Sequence, residues 1–294
     1  ALLFLVISTL LNVVFDIWFV AGFGMGVPGV ALATVLAQGV SAVLCLLKLL
    51  KMKQHFDLSW SLLIPRKELT LSLIKLGLPS GLTQAIFSFA IIAVQSLTNS
   101  FGELVIACNV IVMRIDGFAM MPNFSFGSAM TTFAGQNFGA RRYDRVAQGA
   151  KDGTKIAVSV ATVITLVILL FGRYLMNIFT STDELVSLSM RMMHILAPGY
   201  IAMAVTQCLA GVMRGVGDTV TPMWISIFTA IGLRVPIAYG IAYFTRSELY
   251  PTGRPESVFI SLLIAWTLGA LVTSVLYRRG KWRQKFEIEG ESSY

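Results

Sequence analysis

Apolar runs of about 20 residues or more recur along the chain, separated by short polar breaks. A helix needs about 20 residues to cross a bilayer, whereas a barrel strand shows about 10 residues of alternating character. The runs predict about eight membrane-spanning helices, at 1–21, 27–47, 70–100, 104–134, 150–172, 185–211, 219–244 and 256–277. Glycine and proline punctuate the breaks at 22–28, 101–102, 135–142 and 215–222, where turns belong. Several runs exceed the length required, so those helices must tilt, bend or project beyond the hydrocarbon.

Composition sharpens this picture. Of 294 residues, 56% are hydrophobic and 13% charged, about half the charged share of an ordinary soluble domain. Backbone groups in lipid must be satisfied within their own segment, which makes the chain an all-α integral membrane protein. The net charge of +8 does not point to nucleic acid, because the basic residues fall in short clusters between apolar runs. Seventeen of the 23 Lys and Arg residues lie in one alternating set of connections and ends, at 48–53, 66–75, 141–155, 214 and 278–285. Arg173, Arg191, Arg246 and Arg254 face the other way, which predicts that both ends and the 48–69 segment are cytoplasmic in a cell membrane. That segment reads as a linker between two helical bundles, with a short surface helix around Trp60. A faint internal echo fits two bundles: each closes with a polar-marked span, a Gly/Pro turn, a last span and a basic cluster.

Polar side chains within spans are expensive and need reasons. Ser8, Asn12 and Asp16 recur at four-residue steps, and such oxygen-bearing groups suit a proton or sodium site or a helix-locking hydrogen-bond set. Asn109, Met113, Asp116, Met120, Asn123 and Gly127 fall within an arc of about 80° on one helix. Flexible, polarizable methionine suits a cavity for varied organic molecules, and equally serves ordinary packing. Gln84, Ser88, Gln95 and Asn99 form a second polar stripe, and Met193, Tyr200, Met203 and Gln207 a third. Arg114 points about 160° away from Asp116, so it reads as a structural or gating residue, like Arg234 and Pro236. Pro122, Pro198 and Pro236 are expected to interrupt three spans.

Enzyme chemistry finds no foothold. There is no GxxxxGK[ST] phosphate loop, and Cys45, Cys108 and Cys208 with His55 and His194 offer no zinc spacing.

Four stretches resemble the multidrug and toxic compound extrusion (MATE) family: LNVVFDIWFVAGFGMGVPGVALATVLAQ, GLPSGLTQAIFSFAIIAVQSLTNSFG, RIDGFAMMPNFSFGSAMTTFAGQNFGARRYDRV and GVMRGVGDTVTPMW. The resemblance covers nearly the whole chain and implies twelve helices in two six-helix lobes. Residues 1–47 would be the last two helices of the first lobe, 48–69 a cytoplasmic linker, 70–285 the second lobe and 286–294 a tail. The chain opens at Ala1 inside an apolar run, so the first four or so helices are expected to be missing or supplied by a partner chain. The resemblance further implies antiport of small organic, often cationic, compounds against H+ or Na+, with no cofactor beyond the coupling ion. Asn12, Asp16 and Thr34 match the family's first-lobe acidic site. The Glu that another branch carries near 84–87 is absent, where the chain reads Gln-Ala-Ile-Phe, and Asp116 becomes the second-lobe candidate. Two rival readings are a lipid-linked saccharide exporter, which calls for an Arg- and Lys-rich cavity, and a non-transporting fragment.

Overall fold

The computed structural model describes residues 2–51 and 66–280; the surface helix expected around Trp60 and the tail at 286–294 lie outside them. Every regular element among the described residues is helical. Seven helices or continuous helical spans are long and apolar enough to cross a membrane, and a bent pair makes an eighth span. Two compact units divide the chain, Ala1–Leu71 and Ser72–Tyr294.

The first unit contains a helical hairpin. α1 (Leu2–Ile17) runs through a π-helical turn (Trp18–Gly22) into a three-residue link, and α2 (Gly26–Lys51) returns. Gly24 and Gly26 take φ of 65° and 58°, left-handed values that glycine adopts without penalty. The buried residues of α2 are Gly29, Ala33 and Ala37, four apart, a seam of small side chains that lets the helices approach closely in lipid. A Cβ on Gly29 would stand 2.9 Å from that of Met25 and 3.1 Å from that of Phe19, so the seam leaves no room for bulk. Across it, the Ser8 hydroxyl donates to the Ala37 carbonyl at 2.9 Å.

The second unit is organised around α4 (Glu103–Gly139), with α3 (Lys67–Asn99) before it and α5 (Tyr143–Asn177) after it. At 1.5 Å per residue the 37 residues of α4 extend about 55 Å, far beyond a hydrocarbon core of about 30 Å. Chain length alone therefore requires tilt or projection. α6 (Asp183–Leu196) and α7 (Gly199–Gly215) form one span bent by 46° at the break that holds Pro198. α8 (Val220–Ser226), a π-helical segment (Ile227–Arg234) and α9 (Val235–Phe244) form another, and α10 (Glu256–Arg279) closes the unit.

The three prolines behave differently from one another. Pro198 sits at the bend. Pro236 follows the π-helical segment, which fits its missing N–H and its ring's demand for space over the turn before it. Pro122 does not interrupt its span: α4 is continuous through it. Met120 and Asn123, on either side, are both buried and hold the flanking turns, so one lost ladder bond is absorbed.

α4 and α7 meet along glycines at four-residue steps. Gly127 and Gly135 face Gln207 and Gly215, and a Cβ on Gly211 would collide with the Gly127 carbonyl oxygen. A Cβ on Gly215 would lie 2.5 Å from the Thr131 carbonyl. Beside this seam lies a core of small residues, including Ala134, Ala150, Ala157, Ala161 and Ala204. A second core, rich in methionine (Met176, Met192, Met193) and built around Tyr200, fills the other part of the unit.

Candidate functional site

The second unit encloses a cavity of about 580 Å³. α3 contributes Gln84, Phe87 and Gln95; α4 contributes Asn109, Met113, Asp116 and Met120; α7 contributes Met203 and Gln207. The far wall is apolar, with Phe259, Leu262 and Trp266 of α10. Polar groups at intervals over an aromatic and thioether lining make a mixed surface, adaptable in shape where flexible methionines form it.

Asp116 is the carboxylate of this wall. It lies beside the Tyr200 hydroxyl and within electrostatic reach of the Arg234 guanidinium, which the α8–α9 span supplies. The Asp116 Oδ1 and Arg234 Nε atoms are enclosed and make no hydrogen bond. Opposite charges close together lower each other's cost in the membrane interior, and their open valences remain available to an ion or a ligand. The neighbouring charge thus comes from Arg234 rather than from Arg114, whose side chain is exposed and lies outside the cavity.

A polar relay joins α3 to α4. Asn109 Nδ2 donates to Gln95 Oε1 at 3.4 Å, and Gln95 Nε2 donates to Asn99 Oδ1 at 2.8 Å. Asn109 also approaches the Met113 sulfur at 3.5 Å.

Three expected lining residues lie elsewhere. Asn99 supports Gln95 from one turn further along without facing the cavity. Ser88 returns its hydroxyl to the Gln84 carbonyl at 3.2 Å, the local bond a serine readily makes inside a helix. Asn123 is buried and donates to the Tyr200 carbonyl at 3.2 Å, tying α4 to α7. Of the third stripe, Met193 and Tyr200 turn into the core, where the tyrosine hydroxyl meets the Met193 sulfur at 3.5 Å. Pro236 is exposed and away from the lining.

Other lining residues escaped the sequence. Arg214 counts there as an orienting loop charge, yet it occupies the last turn of α7 and faces the cavity. Phe259, Leu262 and Trp266 repeat at helical spacing, a pattern that a lipid-facing stripe would share. The α4–α7 seam had a readable signal in Gly127, Gly135, Gly211 and Gly215.

In the first unit, Asn12 Nδ2 donates to Thr34 Oγ1 at 3.3 Å, bringing together two of the three residues of the acidic set. Asp16 lies one turn beyond Asn12 on α1, half-buried, and its enclosed Oδ1 has no partner. Amide, hydroxyl and carboxylate oxygens are the donor types a hard cation prefers. Among the described residues no three His, Cys, Asp or Glu side chains converge into a metal-binding group.

Stacked long helices, a broken span and a cavity among them define a multi-pass helical membrane protein. The chain belongs to the MatE family, whose model matches residues 79–240. It is 28% identical over 273 residues to the probable multidrug resistance protein YoeA of Bacillus subtilis, covering 89% of this chain and 58% of that protein. It is 27% identical over 286 residues to DNA damage-inducible protein F of Escherichia coli, covering 95% of this chain and 59% of that one. The chain thus spans about three-fifths of the length of the curated relatives it matches. Among solved structures, a MATE protein in its bent conformation superposes with a TM-score of 0.87 at 22% identity, over 97% of this chain and 62% of that one. A multidrug resistance MATE transporter in an outward-facing conformation gives 0.85 at 23% identity, over 94% of this chain and 61% of that one. These likenesses place the fold.

Proposed function

We propose that the protein exports small organic compounds, often cationic, in exchange for H+ or Na+, from a cell membrane in which both ends of this chain are cytoplasmic. The observation that carries the reading is Asp116: a carboxylate with an enclosed, unpartnered oxygen in the wall of a cavity otherwise lined by amides, thioethers and aromatics. Such a group binds either a coupling cation or a cationic substrate, and competition between them couples their movements. Asn12, Asp16 and Thr34 supply a second cation site in the first unit, with Asn12 and Thr34 already in contact. The names of the relatives, multidrug resistance proteins among them, support efflux as the direction. Alternating access follows if the two units rock while an ion and a substrate take turns. One charge moving through 100 mV supplies about 2.3 kcal/mol, enough for roughly fiftyfold accumulation.

The test is efflux of a cationic dye by cells producing the protein, with Asp16→Asn and Asp116→Asn separately and together. Each substitution should cut efflux and flatten its dependence on external pH or sodium. If the double variant exports dye at the original rate with the original ion dependence, the reading is wrong.

Arg214 and Arg234, both on the cavity wall, favour a second reading in which the cargo carries a phosphate, as a lipid-linked saccharide would. A pyrophosphate-bearing amphiphile that blocks dye efflux only while both arginines are present would select it.

A further inference from the structure

A second cavity of about 600 Å³ lies where α9 ends and α10 begins, and it shares no wall residue with the cavity around Asp116. Its rim carries Arg191 and His194 of α6, Arg254 of the α9–α10 connection, and Glu256 and Ser257 of the first turn of α10.

These groups make opposite demands. Glu256 is only 9% exposed; one carboxylate oxygen accepts from Arg191 at 2.7 Å, while Oε2 is enclosed with no partner. Next to it, Ser257 is fully buried and its hydroxyl is also unpartnered. A buried carboxylate oxygen needs a donor, and a charged N–H donor serves it best. On the same rim Arg254 lies over the Tyr250 ring, 5.5 Å from its centre, and forms no ion pair among the described residues. His194 engages the Met190 carbonyl through Nδ1 at 2.7 Å, which leaves Nε2 for another group. Arg254 and His194 therefore offer an anion site beside a cation site.

Depth adds a third feature. Ile241 and Ile260 also line the cavity, each one helical turn, about 6 Å, further into its span than Thr245 or Glu256. Around this end Tyr243, Phe244 and Leu249 are exposed, aromatic and apolar groups of the sort that settle at a membrane–water interface. An ammonium donor and a phosphate acceptor are thus called for side by side on this rim, with an apolar tail running further into the span.

We propose that this cavity seats the headgroup of an aminophospholipid of the phosphatidylethanolamine type. Its ammonium bonds Glu256 Oε2 and the Ser257 hydroxyl, its phosphate meets Arg254 and His194, and its acyl chains pass Ile241 and Ile260. The site is independent of the efflux reading: it needs only that these helices lie in a bilayer.

The experiment is native mass spectrometry of the 294-residue chain in detergent with equal amounts of phosphatidylethanolamine, phosphatidylcholine and phosphatidylglycerol of identical acyl chains. Phosphatidylethanolamine should be retained over phosphatidylcholine by about tenfold, the worth of one hydrogen bond to a charged group, because a trimethylammonium has no N–H to give. Phosphatidylglycerol, which lacks the cation, should also lose. Glu256→Gln should bring the ethanolamine-to-choline ratio close to one, and Arg254→Gln should lower retention of both lipids together. A variant that had lost its fold would also show a ratio near one, so Glu256→Gln is compared at a melting temperature matching that of the original protein, and a ratio of one there supports the site. Equal retention of the three lipids, or an unchanged ratio in Glu256→Gln, overturns the proposal. Retention of soluble phosphoethanolamine without the lipid overturns it in favour of a soluble zwitterion.

Discussion

On its α7 side, α4 meets its neighbour backbone to backbone: Gly127 and Gly135 lie against Gln207 and Gly215, and no Cβ fits at Gly211. Ten residues before Gly127, around Asp116 and Gly117, the same helix leaves open space instead. Gly117 has nothing within 4 Å of where a Cβ would be, and about 580 Å³ remains open beside Asp116. Lipid tails are as apolar as leucine, so helices in a membrane associate through close van der Waals packing and hydrogen bonds. The stretch of α4 from Gly127 to Gly135 supplies the first and anchors the helix. The preceding stretch, released from that duty, can carry amides, methionines and a carboxylate.

The largest effect expected from breaking this contrast is at Gly211. Gly211→Ala puts a Cβ into the Gly127 carbonyl, which is backbone and cannot swing aside. It should destabilise the protein by about 1–3 kcal/mol, the usual range for overpacking, and lower the melting temperature in detergent. An unchanged melting temperature would show that the seam is not what holds α4 and α7.

Gly117→Ala, on α4 ten residues before Gly127, should move stability the other way by up to about 1 kcal/mol, since alanine is the better helix former and meets nothing. Loss of stability there would mean that the cavity face is packed. A pair of variants with opposite signs sharpens the comparison more than either alone.

Met203→Ala enlarges the cavity without touching the seam. Affinities for individual substrates should shift severalfold in either direction, while stability falls less than the roughly 2–5 kcal/mol of a fully packed core methionine. Dye-binding titrations alongside melting curves separate the two quantities.

The smallest effect belongs to Asn99→Ala, which removes only the carboxamide that accepts from Gln95. It should cost about 1 kcal/mol or less in substrate binding by loosening Gln95 and, through it, Asn109. A loss as large as that of Asp116→Asn would mean that Asn99 touches the substrate directly.

Most of the helical architecture was legible in order and length, because spanning a bilayer forces an apolar run of fixed minimum length onto the sequence. The polar stripes were legible too, since polar atoms are rare in spans and their periodicity stands out: Gln84, Gln95, Asn109, Asp116 and Gln207 all reach the cavity. What went unread has a common cause. Asn123 shares the face of Asp116 by angle, yet whether such a side chain meets open space or a neighbouring carbonyl depends on the helix packed against it. Phe259 and Trp266 carry no polar mark, and in a membrane an apolar residue looks alike whether it faces lipid, core or cavity. Arg214, a charge at a helix end, reads as orientation until the bundle folds it inward.

The sequence by itself determined that this protein is a bundle of membrane-spanning helices, its family, and where the few polar groups fall within the spans. Those follow from local composition and spacing, which the bilayer constrains residue by residue. Only the tertiary structure decided that Arg234 is the charge that faces Asp116, that glycines join α4 to α7, and that Glu256 and Ser257 open onto a cavity of their own. Each is a meeting of residues far apart in sequence, fixed by which helices pack and how closely, and no periodicity within one helix records its neighbour.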